Sequence, residues 1–189
     1  MHIWVVDNNN DIKMEEQFEF GDLIATRSGS FLSRAIRYFM RKQHPEVPNF
    51  SHIAVVINLW GQLWIAEALA WGVRIWSLEQ SGYATKDQVV ILRHNKGFTE
   101  DQIEKMSQKM VSLGGVRYQY ENLPAWAIRI LTKINLFKKS NEKAIYCSEL
   151  GAIAISTAFP LTFLNPNMIT PADHFATGIY DIIDINGIL

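Results

Sequence analysis

The sequence predicts an α+β domain in which an antiparallel sheet packs against helices. Three observations carry this. Four short apolar runs, at 52–59, 63–69, 72–77 and 88–93, follow one another across turn signals, the first two joined by Trp60-Gly61-Gln62. That is the pattern of a hairpin extended into a meander. Stretches with helical spacing lie before and after this block rather than between its strands, so the elements are segregated. The 189 residues are 48% hydrophobic and 20% charged, which suits a single domain over 1–189 and excludes disorder or a collagen-like repeat.

The elements follow in order. Phe18 to Thr26 reads as a turn at Gly21-Asp22 leading into a short buried strand. From Phe31 to Gln43 apolar residues stand at 31, 32, 35, 36, 39 and 40, a helical stripe with Ser30 as its N-cap. Arg34, Arg37, Arg41 and Lys42 fall mostly on the opposite face. His44 to Asn49 is a proline-containing loop. Thr99 opens a further helix, with Gln102 completing a capping box, a core stripe at 103, 106, 110 and 113, and Gly114-Gly115 as its stop. Tyr118 to Pro124 reads as a loop. Ala125 to Lys139 reads as a second basic amphipathic helix, inside a basic and apolar insert at about 124–142. Ile145 to Ala158 is a buried helix that begins near Cys147. The tail has a turn at Pro171 and a short strand around 179–185.

Charge and cysteine usage narrow the function. Lys and Arg number 18 against 19 Asp and Glu, a net charge of −1, so no nucleic-acid partner is expected. The single cysteine allows no internal disulfide. No histidines stand at metal-ligand spacing, so neither metal nor cofactor is expected. Residues 1–11 lack a basic segment followed by an apolar one, and no apolar run approaches the roughly 20 residues of a membrane helix. The expectation is a protein cytoplasmic as synthesised, with release by lysis or another signal-independent route left open.

Cys147 stands where Ala144-Ile145-Tyr146-Cys147-Ser148-Glu149-Leu150 passes into an apolar run, at the start of a buried helix. Unpaired N–H groups and the partial positive charge there favour a thiolate and can hold an oxyanion. The alternative is a small buried structural residue. His52 opens the first strand of the hairpin and Glu67 lies on the second, a spacing that brings them together on one sheet face. A carboxylate in so apolar a strand needs a partner, and beside an imidazole it fixes the tautomer and stabilises the imidazolium. Cys147 as nucleophile, His52 as base and Glu67 as orienting group form one consistent set. The other histidines have duller readings: His174 as structural or peripheral, and His2, His44 and His94 as solvated. The basic helices are read as solvated faces or as a surface for anionic lipid or cell-wall polymer. Trp60, Trp64, Trp71 and Trp76 either line a cleft or pack at the core and rim.

Six segments add a resemblance. They are Gly21-Asp22-Leu23-Ile24 followed by Ser30 to Arg37; Phe50-Ser51-His52-Ile53-Ala54-Val55-Val56; Ala66-Glu67-Ala68 with Gly72-Val73-Arg74; Gly115 to Tyr120; Tyr146-Cys147-Ser148-Glu149-Leu150; and Ile169-Thr170-Pro171-Ala172-Asp173. In this order they resemble the permuted papain-like hydrolases of the YiiX type, a circularly permuted branch of the NlpC-type cysteine peptidases. The resemblance implies that fold and a catalytic set of Cys147, His52 and Glu67. It also implies Tyr118 and Ser30 as substrate-binding residues. The implied activity is cleavage of amide bonds, in peptidoglycan-type or other small peptides. Two other functions stay open: a lipid acyltransferase or thiol-dependent lipid esterase of the lecithin–retinol type, and a non-catalytic peptide-binding module. The chain departs from the family where Tyr118-Gln119 and Tyr120-Glu121 replace the usual Tyr-Asp, and where His174 replaces a leucine after Asp173.

Overall fold

Strict alternation in the central strands decides the layering. In β2 (Leu23–Thr26) and β3 (His52–Leu59), residues Leu23, Ala25, Ile53 and Val55 join one apolar cluster, and Ile24, Ala54 and Val56 join a second on the other side. Both faces of the sheet are therefore covered, as period-two side-chain placement requires. The computed structural model describes residues 3–5, 17–27, 31–83, 89–119, 143–160, 162–163 and 165–184.

β4 (Gln62–Leu69), β5 (Gly72–Ser77) and β6 (Val89–His94) continue the sheet, with β1 (Ile3–Val5) and β9 (Tyr180–Asp184) at its far side. The order is β1-β9-β6-β2-β3-β4-β5, antiparallel throughout except for the parallel pair β1–β9. The hairpin register sets Ala54 opposite Glu67, and β2 sets Thr26 opposite His52.

Helices α3 (Glu100–Ser112) and α4 (Cys147–Ala158) cover one face through Met106, Met110, Leu150 and Ile153. On the other face Phe18, Tyr83 and Leu78 of α2 (Leu78–Ser81) close the second cluster. Each such Leu, Ile or Phe contributes roughly 1.5–3 kcal/mol on burial. The α1 helix (Phe31–Gln43) rests Ile36 and Met40 on Tyr146 and on Ala172 of α5 (Pro171–Ala176). The antiparallel block, the α1 boundaries and the Thr99/Gln102 capping box agree with the sequence reading.

Three details differ. The segment read as a loop from Tyr118 starts with β7 (Arg117–Tyr118), which pairs in parallel with β8 (Ala144–Ile145), whose second residue the sequence reading gives to the start of the cysteine helix. The Pro171 turn is the first turn of α5, where Thr170 and Asp173 make a second capping box. β1 was not anticipated. The Ala125–Lys139 helix, the insert at about 124–142, Ser30 and His2 lie outside the described residues.

α4 can lie against β3 because Gly151 has no side chain. A Cβ there would stand 2.9 Å from Ile53 Cγ2 and 3.3 Å from His174 Nε2. Ile53 is a fully buried, β-branched strand residue that cannot swing aside. Alanine ordinarily gains about 1 kcal/mol over glycine within a helix. Here Gly151→Ala is expected to lower stability by about 1–3 kcal/mol through overpacking. Urea unfolding of the variant checks the sign.

Candidate active site

The site is built where the first turn of α4 meets the first residue of β3. Cys147 is the first residue of α4, after Tyr146 in extended conformation with no side-chain cap. Two bonds tie this end down: the Tyr146 hydroxyl donates to the Asn167 carbonyl, and Ser148 Oγ donates to the Ile169 carbonyl at 2.8 Å. His52 lies two residues from the hairpin partner of Glu67 on the same face, a diagonal that long side chains span. His52 Nε2 stands 2.8 Å from Glu67 Oε2. The Tyr83 hydroxyl donates to that oxygen at 2.6 Å. The imidazole nitrogen left over, Nδ1, serves the hydrogen bond with Cys147. The β3–β4 ladder has its last rung at Ala54 and Glu67, so the Ile53 N–H lies beyond it. That N–H and the Ser148 N–H favour a charged sulfur, which is 3.9 Å from the Ser51 carbonyl oxygen.

The electrostatics follow from this chain of contacts. Cys147 is 3% exposed and Glu67 2%, while the His52 side chain keeps 18% of its surface. Burial pulls the imidazole down, but the hydrogen bonds and charges of Cys147 and Glu67 outweigh it and hold His52 up at about 9. Burial raises the thiol, yet the His52 hydrogen bond and charge and the two backbone donors bring it below its ordinary value. The favoured state is a thiolate–imidazolium pair that titrates as a unit. Burial and the adjacent carboxylate push the Tyr83 phenol far up, so it stays protonated and donates.

Cys147, His52 and Glu67 thus come together as the sequence reading expected. Tyr83 was missed, because an aromatic after Ser81-Gly82 gives no sign of the carboxylate it will meet. Tyr118 is half-buried between the main core and the Tyr146 cluster, one strand away from the cysteine end of α4. One histidine expectation is corrected. His94 is not solvated: it ends β6 pointing inward, 5% exposed and stacked on Phe159 at 4.1 Å. Of the two readings of His174 the structural one holds: it is fully buried, its Nε2 3.0 Å from the Ser148 carbonyl and its Nδ1 3.2 Å from the Tyr180 hydroxyl. The carbonyl can only accept, so Nε2 carries the proton and Nδ1 accepts. His44 bridges Glu46 and Asp173 at 3.1 and 3.0 Å. Trp60 and Trp71 sit on the two hairpin turns, 85% and 96% exposed; Trp60 meets the half-buried Trp64 edge-on at 5.7 Å, and the half-buried Trp76 carries the Arg74 guanidinium over its ring. Among the described residues no helix is long and apolar enough to cross a membrane.

A mixed sheet with the cysteine helix on one face defines an α+β fold shared with solved proteins. The crystal structure of the metalloprotein yiiX from Escherichia coli O157:H7 superposes with a TM-score of 0.64, at 18% identity, over 88% of this chain and 97% of that one. The chain therefore has a YiiX-like fold. No protein-family model and no curated protein matches it. That neighbour is described as a metalloprotein; among the described residues here, no three His, Cys, Asp or Glu side chains form a metal-binding group. Cys147, His52 and Glu67 do not converge on one point, because His52 spends one ring nitrogen on each neighbour. The described residues of this site do not fit a metal centre.

Burial holds His174 down at about 4, against the pull of the Ser148 carbonyl and the Asp173 charge. Its folded value lies below the ordinary 6.5, so the unfolded chain takes up the extra proton first. The stability His174 contributes is complete above about 6.5 and is lost as pH falls toward about 4, by up to about 1.4 kcal/mol per pH unit. Denaturant unfolding from pH 7 to 4 is expected to show a steeper acid loss in the wild type than in His174→Gln, which keeps a donor and cannot titrate.

Proposed function

We propose that this chain is a cysteine hydrolase acting on amide bonds in small peptides, including those of the cell-wall type, with a circularly permuted papain-like (NlpC-type) arrangement. The observation that carries the reading is the buried series Cys147, His52, Glu67 and Tyr83, in which His52 and Tyr83 both meet Glu67 Oε2 and the His52 charge lowers the thiol. A structural cysteine has no use for a raised imidazole and a buried carboxylate lined up behind it. The histidine strand precedes the cysteine helix along the chain, which is the permuted order.

In this reading the Cys147 thiolate attacks the amide carbonyl carbon. A C–S bond forms, and the carbonyl π pair moves onto oxygen. The backbone N–H of Cys147, at the positive end of α4, supports that oxyanion. Collapse restores the carbonyl and breaks the C–N bond, and His52 Nδ1–H gives its proton to the departing amine. Water then attacks the thioester, losing a proton to His52, and the acid product and thiolate are released. Glu67 keeps the imidazole in the tautomer and orientation that both halves need, and Tyr83 holds Glu67.

The test is the pH profile of iodoacetamide reaction at Cys147, the single cysteine. The wild-type rate is expected to be flat between about pH 6 and 8, because the thiolate is already formed. His52→Ala should climb about tenfold per pH unit over that range, as an ordinary thiol of pKa near 8.5 does. Turnover of peptide amides should disappear in Cys147→Ala and fall by about 10²-fold or more in His52→Ala. An ordinary profile in the wild type overturns the reading.

A further inference from the structure

We infer that Arg27 and Arg37 form a carboxylate-recognition edge beside Cys147, so that the amide substrate carries a free carboxylate close to the bond that is cleaved. This rests on the hydrolase reading above and narrows its substrate class.

The geometry runs through Ser51, whose carbonyl oxygen lies 3.9 Å from the Cys147 sulfur. The Ser51 hydroxyl is 2.6 Å from that of Ser33, and Arg37 Nη1 donates to Ser33 Oγ at 3.0 Å. From the other side, the Ser51 N–H bonds to the Thr26 carbonyl, and Arg27 is the next residue. Its guanidinium lies over the Phe50 ring at 4.7 Å. The two arginines thus flank Ser51, Arg27 from just beyond β2 and Arg37 from α1, and the Arg37 charge is felt at Arg27. A planar carboxylate matches the fork of donors that a guanidinium presents at this edge.

Two further observations point to a missing anion. Arg27 makes no hydrogen bond or ion pair among the described residues: its Nε is buried without a partner, and Asp184 acts on it only at longer range. The α1 helix carries Arg34, Arg37, Arg41 and Lys42 and no acidic residue, and the acidic group that acts on Arg27 is Asp184 of β9. A carboxylate matches the planar guanidinium fork, and it is the anion a peptide brings with its amide bonds.

The test compares two reagents of the same shape, iodoacetate and iodoacetamide, at Cys147 and low ionic strength. The ratio of their rates removes any general change in thiolate reactivity. The wild-type ratio is expected to exceed that of Arg27→Gln and of Arg37→Gln by about threefold each, the size of one screened surface charge. Arg27→Lys should restore most of it, and added salt should shrink the wild-type ratio. If one glutamine variant fails to fold, the other carries the comparison. Equal ratios in all folded variants, with the flat iodoacetamide profile intact, overturn this inference and leave the hydrolase standing. An ordinary thiol profile with both reagents in the wild type overturns both.

Discussion

Much of this molecule is arranged around one buried carboxylate. Glu67 lies within a strand whose neighbours Ile65, Ala66 and Ala68 are closed off from water, and a bare charge there would be prohibitive. It is tolerated because His52 and Tyr83 both meet the same oxygen. That requirement reaches outward. The hairpin register must put the two strands in phase, α2 and the turn at Gly82 must bring Tyr83 back over the sheet, and His52, once held by Glu67, has one ring nitrogen left to offer. The charge that would be a liability in a core becomes the means of fixing an imidazole.

The second constraint is the placement of α4. A helix whose first turn delivers a sulfur to the end of β3 has to lie almost flat on that strand, and its small residues Gly151, Ala152 and Ala154 permit it. Tyr146, Ser148 and His174 then lock the same turn to the segment that leads into α5. His174 thus takes part in fixing the cysteine end of the helix, through a polar bond that an aliphatic side chain could not make. The likeness to yiiX concerns the backbone arrangement; the donors around the sulfur belong to this chain and do not form a metal site.

How much could be read from the sequence follows from the range of the forces involved. The Thr99/Gln102 cap, the Phe31 stripe and the Trp60-Gly61 turn are local, and each announced its element. His52 and Glu67 were legible as a pair because a tight turn fixes the distance between them. Tyr83 was not, since its role depends on a tertiary return of the chain. β7 and β8 are two-residue strands on either side of the insert, too short to show periodicity. His94 looked solvated because Asn95-Lys96 follow it, yet strand alternation and the Phe159 ring decide its burial. Pro171 reads equally as a turn residue or as the first residue of a helix, and only the Thr170/Asp173 reciprocity selects the helix.

The position of β9 has a consequence for how the chain reaches this state. It enters the sheet between β1 and β6, so the first and last of the described strands are neighbours. Such a closure joins segments of the greatest sequence separation and belongs to a slow, late step. During synthesis the hairpin that holds His52 and Glu67 emerges well before the helix that starts at Cys147. The partner of the imidazole is thus set within one hairpin, whereas the sulfur meets it only across the contact between α4 and β3, the product of residues far apart in the chain.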